Sequence, residues 1–195
     1  MLVKSARPRI STRSGQFSTS TRVNDGSAQR SRVTSVTVTF DAVVTFAGAV
    51  ASAFTLNRTG GGAVNFAASA NIVSGVTVVT LNGFTGAEAE NGSLRDGRYT
   101  LTALQNQISA GGLALDGNGD GTAGDNFTFG DTQGLFRFYG DMNGDRRIDI
   151  SDFGYFSLAY LTLANYNPAL DVNNDGRIDI FDFGQFSVRF FTTLP

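Results

Sequence analysis

Two segments in the last third of the chain place Asp and Asn at alternate positions. They have the sequences DMNGDRRIDISD, starting at Asp141, and DVNNDGRIDIFD, starting at Asp171. In a twelve-residue calcium loop, the oxygen ligands come from positions 1, 3, 5, 9 and 12 and from the backbone carbonyl of position 7. Two copies with the same donor positions predict two Ca²⁺ sites. The predicted ligands are Asp141, Asn143, Asp145, the Arg147 carbonyl, Asp149 and Asp152 in the first copy, and Asp171, Asn173, Asp175, the Arg177 carbonyl, Asp179 and Asp182 in the second.

Two other interpretations fit a single copy of this pattern. Clusters of Asp, Asn and Gly are common in ordinary turns, and paired carboxylates can serve as the acid and base of a glycosidase. The identical donor positions of the two copies favour calcium over simple turns. Every Asp of the repeat already has a loop position, which disfavours the glycosidase pair.

A third segment, LDGNGDGTAGDNF, begins in the same way but has no helical pattern after it. Its candidate ligands are Asp116, Asn118, Asp120, the Thr122 carbonyl and Asp125. The residues that follow, 126–129, have the pattern of a strand. Two interpretations therefore stay open: a third calcium site, or a glycine-rich turn whose Asp side chains cap backbone amides.

The residue types that the chain lacks exclude most enzyme chemistry. Its 195 residues include no His, no Cys and no Trp. Without imidazole or thiolate there is no Ser-His-Asp or Cys-His pair, and no ordinary ligand set for zinc, haem or an iron–sulfur cluster. The hard oxygen donors that remain suit calcium or magnesium. We therefore predict that this chain is not an enzyme.

The start of the chain is basic, with seven Lys and Arg and a single Asp in residues 1–35. Residues 11–21 are mostly Ser and Thr without an aromatic platform or an amphipathic repeat, so we predict no nucleic-acid partner and interpret residues 1–15 as a solvated tail or linker. Residues 1–20 lack the apolar run of a secretory signal. The uncharged stretch 42–57 is shorter than the ~20 residues of a spanning helix and contains Thr45, Gly48 and Ser52, so we predict no membrane segment.

Alternating apolar residues predict short strands before Asp131. Val36, Val38 and Phe40 alternate with polar residues, as do Tyr99 and Leu101, and about seven such strands fit. Turn signals separate them at Gly60-Gly61-Gly62, Asn82-Gly83 and Asp96-Gly97. This spacing, together with 24 Gly, predicts an antiparallel β-sandwich over residues 16–135.

Each repeat continues into a predicted helix. Aromatic residues recur on one face after both loops, at Phe153, Phe156 and Tyr160 and at Phe183, Phe186 and Phe190. Ile148 and Ile178, at position 8 of the loops, should tie the loops to each other and to the core.

The predicted sandwich resembles the bacterial Ig-like domains of secreted and cell-surface proteins. The likeness rests on VTSVTVTF, AFTL, DGRYTLT and the LDGNGDGTAGDNF segment. In such proteins the domain is a spacer or scaffold, so the resemblance implies an architecture and no activity.

Residues 136–195 resemble the dockerin family, whose duplicated loop–helix modules occur at the C-termini of extracellular polysaccharide-degrading enzymes and other secreted bacterial proteins. The resemblance implies two calcium ions, EF-hand-type loop–helix repeats with approximate two-fold symmetry, and often docking onto a cohesin domain. Position 12 is Asp, as is usual in that family, whereas Arg146 replaces the usual Gly at position 6 of the first loop. We expect this replacement to strain the first site.

The partner-recognition positions depart further from the best-known dockerins, which carry Ser-Thr at positions 10 and 11 and often basic residues at 17 and 18. Here these positions are Ile150-Ser151 and Ser157-Leu158 in the first repeat, and Ile180-Phe181 and Ser187-Val188 in the second. Metal binding should carry over, whereas the mode of partner recognition should differ.

The sequence thus predicts a mainly β protein with a small α module, acting as a non-catalytic calcium-binding attachment module of an extracellular or cell-surface bacterial protein. The expected partner is a cohesin-like protein or a cell-surface component. Extracellular calcium modules have affinities of about 10⁻⁴–10⁻³ M, which cytosolic calcium would not fill. The alternative is an accessory carbohydrate-binding or scaffold region of a polysaccharide-degrading enzyme complex. Because sugar sites usually need exposed Trp or Tyr and Tyr99 faces inward in its strand, this alternative is weaker.

Overall fold

Thirteen antiparallel strands lie between Thr19 and Arg137 in a computed structural model that describes residues 19–194. The predicted tail, residues 1–15, lies outside the described residues. The strands are β1 Thr19–Val23, β2 Ser35–Phe40, β3 Thr45–Phe46, β4 Phe54–Arg58, β5 Asn65–Val73, β6 Val76–Thr85, β7 Ala89–Glu90, β8 Ser93–Leu94, β9 Gly97–Ala103, β10 Ile108–Ala110, β11 Leu113–Ala114, β12 Phe127–Gly130 and β13 Phe136–Arg137.

Two larger sheets share one hydrophobic core. One sheet has the order β1-β2-β6-β5, and in the other β9 pairs with β4, β12 and β13. All pairings between these strands are antiparallel. The predicted alternation is confirmed, because Val36 and Val38 of β2 are buried in the same core as Tyr99 and Leu101 of β9. We call residues 19–135 the β domain.

Short strands and one bulge depart from the predicted pattern. Twelve strands, not about seven, precede Asp131 in the described chain, since several have only two or three residues and carry no alternation. The predicted turn at Asn82-Gly83 is wrong, because both residues lie inside β6. There the register with β5 shifts between Asn65 and Ala67, and Gly83 takes a φ of +62° at the resulting bulge.

The helices α1 Ile150–Ala159 and α2 Ile180–Ser187 follow the two repeat loops. They pack through their aromatic residues, with the ring centroids of Phe156 and Phe186 4.8 Å apart. These rings belong to a second core, separate from that of the β domain, which also buries Ile148 and Ile178. We call residues 136–194 the loop–helix module. Neither helix has the length and apolarity of a membrane-spanning segment among the described residues.

The position 8 isoleucines connect the repeats crosswise instead of pairing with each other. Ile148 of the first loop exchanges backbone hydrogen bonds with Phe191 and Thr192, beyond α2, while the Ile178 carbonyl accepts from the amide of Leu161, beyond α1. Leu161 and Phe191 both have positive φ, 55° and 60°, so the chain reverses after each helix in the same way. The predicted packing of both isoleucines in the core is thus confirmed. Their contacts between the repeats are hydrogen bonds to the segments that follow the helices.

Candidate metal centres

The first repeat loop, residues 141–152, folds around the carboxylate of its first residue. Asp141 is fully buried and accepts hydrogen bonds from the amides of Gly144, at 2.6 Å, and Arg146, at 2.9 Å. Asn143 Oδ1 accepts from the Asp145 amide, and Asp145 Oδ1 from the Arg147 amide, at 3.0 and 2.8 Å. The side chains at positions 1, 3 and 5 therefore turn into the loop, as calcium ligands do.

The second loop, residues 171–182, repeats this arrangement. Asp171 Oδ2 accepts from the Gly176 amide at 2.8 Å, and Asp175 Oδ1 from the Arg177 amide at 3.0 Å. Asn173 Oδ1 is 3.3 Å from the Asp175 amide. The predicted ligands at positions 1, 3 and 5 are thus brought together in both loops.

The carboxylates at positions 9 and 12 join each loop to the helix that follows. Asp149 caps α1 by accepting from the Ser151 amide at 2.8 Å. Asp152 accepts from the Asp149 amide at 3.0 Å and, with its other oxygen, from the Met142 amide at 2.8 Å, which folds it back toward the start of the loop. In the second repeat, Asp179 and Asp182 do the same with the amides of Phe181, Asp179 and Val172.

Left-handed backbone occurs at positions 4 and 6 of both loops. In the first these are Gly144, with φ 79°, and Arg146, with φ 69°; in the second they are Asn174, with φ 61°, and Gly176, with φ 86°. This conformation costs a non-glycine residue about 1–2 kcal/mol. The expected strain at Arg146 is therefore present.

Burial disfavours the ionised form of three loop carboxylates, those of Asp141, Asp152 and Asp182. It raises the pKa of Asp141 to about 6, although the Arg146 and Gly144 amides lower it, and the nearby charges of Asp152 and Asp145 raise it further. Burial also raises the pKa of Asp152 and Asp182. A bound cation would offset both the desolvation and the repulsion. The donors, carboxylate and amide oxygens at alternate positions, fit Ca²⁺.

The third loop, residues 116–125, has the same hydrogen bonds among positions 1 to 7 as the first repeat loop. Asp116 is almost fully buried and accepts from the amides of Gly119 and Gly121, both at 2.8 Å. The Asp120 amide donates to Asn118 Oδ1, and the Thr122 amide donates to Asp120 Oδ1. Positions 4 and 6, Gly119 and Gly121, again have positive φ, 75° and 92°.

This third loop closes through a β-bridge instead of a helix. Asp116 and Asp125 form an isolated parallel bridge, and β12 begins two residues after Asp125. One carboxylate oxygen from each of Asp116, Asp120 and Asp125 lies within 4.8 Å of the others, a spacing that no other triad of acidic residues in residues 19–194 reaches. In the repeat loops, the last two carboxylates lie at positions 9 and 12 and accept hydrogen bonds from backbone amides.

The recognition positions of the loop–helix module lie on its surface. Five apolar side chains there are more than half exposed: Ile150, Leu158, Ile180, Phe181 and Val188. Each repeat contributes to this surface at equivalent positions. Since burying such side chains is favourable, the surface is suited to a protein contact.

Sequence reasoning missed the junction between the β domain and the module. Arg137 is buried, with its Nη1 2.6 Å from Glu90 and 2.7 Å from Asp96, and Arg189 reaches the other oxygen of Asp96 at 2.6 Å. Arg30 and Arg32, which belong to the basic first 35 residues, also lie in this junction, because both donate hydrogen bonds to backbone carbonyls of the module. Two arginines close together in a short loop give no sequence signal that they contact a distant part of the chain.

The comparisons with known proteins agree with this geometry. The family model described as the Dockerin type I domain matches residues 139–187. The loop–helix module is similar to dockerin type I domains. Dockerin domains are generally calcium-binding attachment modules, and the match spans both repeat loops and both helices while leaving the β domain outside. The comparisons with curated proteins and with solved structures give no match.

Proposed function

We propose that this chain is a non-catalytic part of an extracellular or cell-surface bacterial protein, in which the loop–helix module binds two calcium ions and attaches to a protein partner. The observation that carries the proposal is the duplicated loop. Both copies turn the same donors inward and end in a helix capped by their own position 9 carboxylate. The match to the Dockerin type I domain supports the same function.

Calorimetric titration with calcium tests the metal sites. The full chain should bind Ca²⁺ at both repeat loops, and Asp141→Ala and Asp171→Ala should each abolish one of these binding events. Asp41→Ala, which removes an exposed carboxylate of the β domain, is the matched control and should titrate like the parent. Parent-like titrations of both loop variants would show that these loops are not the sites.

The exposed apolar surface on α1 and α2 supports a cohesin-type partner that is recognised through apolar contacts. Leu158, in α1, and Val188, directly after α2, occupy equivalent positions, where better-known dockerins often carry basic residues. A panel of purified cohesin domains, titrated with the calcium-loaded chain, would identify the partner class. Leu158→Asp with Val188→Asp should abolish binding, whereas Leu113→Asp, on the exposed surface of the β domain, should not. Binding that survives the double substitution would exclude this surface.

We also propose a third Ca²⁺ in the 116–125 loop. One oxygen from each of its three carboxylates lies within 4.8 Å of the others, and its hydrogen bonds match those of the first repeat loop. Anomalous scattering from crystals soaked in calcium should give a peak within coordination distance of Asp116, Asp120 and Asp125. A loop without a peak, in crystals with peaks at Asp141 and Asp171, would indicate a plain turn.

The alternative, a carbohydrate-binding β domain, has less support. Tyr99 is fully buried, as expected. The exposed large apolar residues in 19–135 are Val43, Ile72, Val73 and Leu113, and this set contains no aromatic platform for a sugar. A scaffold role for the β domain fits these observations better.

A further inference from the structure

Residues 28–32 of the β domain run directly beside the start of the first repeat loop. The Arg30 amide donates to the Asp141 carbonyl at 2.8 Å, and the Arg30 carbonyl accepts from the Phe138 amide at 2.9 Å. A Cβ at Gly144, position 4 of the loop, would collide with the carbonyl oxygen of Ala28. The first loop is therefore fitted against the backbone of this segment.

Ser31 lies between the residues that lead into the two loops. Its side chain is fully buried, and its hydroxyl donates to the Ala169 carbonyl at 2.6 Å while accepting from the Gly140 amide at 2.9 Å. Gly140 directly precedes the first loop, and Ala169 lies two residues before the second. One hydroxyl therefore fixes the entry into both loops.

Arg32 holds the second loop. Its Nη1 donates to the Asp171 carbonyl at 2.9 Å and to Asn174 Oδ1 at 3.0 Å, which are positions 1 and 4 of that loop. The same nitrogen is 3.3 Å from the Pro168 carbonyl, and Nη2 donates to the Asn91 carbonyl at 2.8 Å. Its Nε has no hydrogen-bond partner, and within residues 19–194 no carboxylate lies within 4.0 Å of its guanidinium. This buried arginine thus contacts backbone and amide oxygens instead of a counter-ion.

We propose that Ser31 and Arg32 are positioning residues for the calcium loops, so that the calcium affinity of the module depends on the β domain. The inference rests on the proposed calcium binding. A loop held at its first residues by a folded domain loses less conformational entropy when its donors gather around a cation. By linkage, bound calcium must stabilise the contacts of residues 28–32 by the same free energy by which these contacts stabilise calcium binding.

The positive charge of Arg32, taken alone, should lower the calcium affinity, because a cation near a calcium site repels the metal. Lysine separates the two effects, since it keeps the charge but lacks the planar fork that reaches four oxygens at once. If Arg32 acts by positioning, Arg32→Lys weakens calcium binding. If only its charge matters, Arg32→Lys leaves the affinity unchanged.

Calcium titration of the full chain provides the test. Ser31→Ala and Arg32→Lys should each weaken calcium binding by about tenfold, as expected for one or two buried hydrogen bonds. Thr77→Val and Arg58→Lys are the matched controls: Thr77 has a buried hydroxyl, Arg58 has an equally unpaired Nε, and both lie in the β domain. Both controls should keep the parent affinity. Parent-like affinity in both junction variants would overturn this inference alone, whereas a parent chain that binds no calcium would overturn the proposed function with it.

Hydrogen exchange on the unaltered chain keeps the test independent of variants that fail to fold. The Arg30 amide donates to the first residue of the loop and the Phe138 amide donates to Arg30, so both should exchange at least tenfold more slowly with saturating calcium than without it. The Val79 amide, in the central strand β6, is the internal reference and should change less. Equal exchange at Arg30 and Phe138 with and without calcium would show that residues 28–32 do not respond to the loops.

Discussion

The guanidinium of Arg146 lies over the ring of Phe136, with its Cζ 4.6 Å from the ring centroid. The same group donates to the Asp131 carbonyl at 2.6 Å and lies 3.1 Å from the Asp131 carboxylate. Arg146 occupies a left-handed backbone position where related loops have glycine. The side chain of Arg146 therefore offsets the backbone strain by joining the first repeat loop to the β domain.

At position 146, a glycine variant should be more stable than an alanine variant, the reverse of the usual order. Arg146→Ala loses the contacts with Asp131 and Phe136 and keeps the strain, so we expect it to lower the free energy of unfolding by about 2 kcal/mol. Arg146→Gly also loses the contacts but relieves the strain, and should be about 1 kcal/mol more stable than the alanine variant. Urea unfolding of the calcium-loaded chain measures both values. An alanine variant as stable as the glycine variant would contradict a strained backbone.

Substituting alanine for two glycines of the first repeat should change the stability of the chain in opposite directions. At Gly144, with φ 79°, a Cβ meets the Ala28 carbonyl, so Gly144→Ala should destabilise the chain by more than about 2 kcal/mol and weaken calcium binding. Gly154 lies in α1 with no atom within 4 Å of an added Cβ. There, alanine should stabilise the helix by up to about 1 kcal/mol. Thermal unfolding of both variants checks this pair, and a loss of stability at Gly154 comparable to that at Gly144 would refute the steric argument.

The two repeat loops could be predicted from the sequence because their oxygen donors are close together in the chain. Donors at alternate positions, followed by an aromatic stripe, specify a loop and a helix within a few residues of each other. The junction could not be predicted in this way, because the bond between Ser31 and the Ala169 carbonyl joins residues 138 positions apart. No periodic pattern marks such a contact.

The β domain shows where local signals were outweighed by strand pairing. Asn82-Gly83 has the composition of a hairpin turn, yet pairing with β5 keeps it inside β6 and turns its glycine into a bulge. Strands such as β7 and β8, with two residues each, are too short for any alternation to be seen. Long alternating strands such as β2 and β9 were predicted correctly, because one face of each is buried.

Without calcium, the chain should become less stable as the pH rises from about 4 through 6. Burial raises the pKa of Asp141 from 3.8 to about 6, so the folded state holds this proton more tightly than the unfolded state. That contribution to stability is present at low pH and is lost as Asp141 ionises. Urea unfolding in calcium-free buffer should therefore give a lower free energy of unfolding at pH 7 than at pH 5.

The Asp141→Asn variant is the control for this pH effect, because its side chain stays neutral. Its calcium-free stability should differ less between pH 5 and pH 7 than that of the parent. Saturating calcium should stabilise the parent more at pH 7 than at pH 5, since the metal binds the ionised carboxylate. An equal pH dependence in parent and variant would mean that Asp141 does not titrate in this range.

The third loop should bind calcium independently of the loop–helix module. A chain that carries both Asp141→Ala and Asp171→Ala should retain one calcium-binding event, assigned to the carboxylates of Asp116, Asp120 and Asp125. We expect this event to be weaker than those of the repeat loops, because Asp120 is exposed and no helix returns a position 12 carboxylate. Adding Asp120→Ala should remove it, whereas adding Asp41→Ala should not. If the chain with both repeat loops altered binds no calcium while its strand signal in circular dichroism is intact, residues 116–125 form a turn that its own hydrogen bonds hold without a metal.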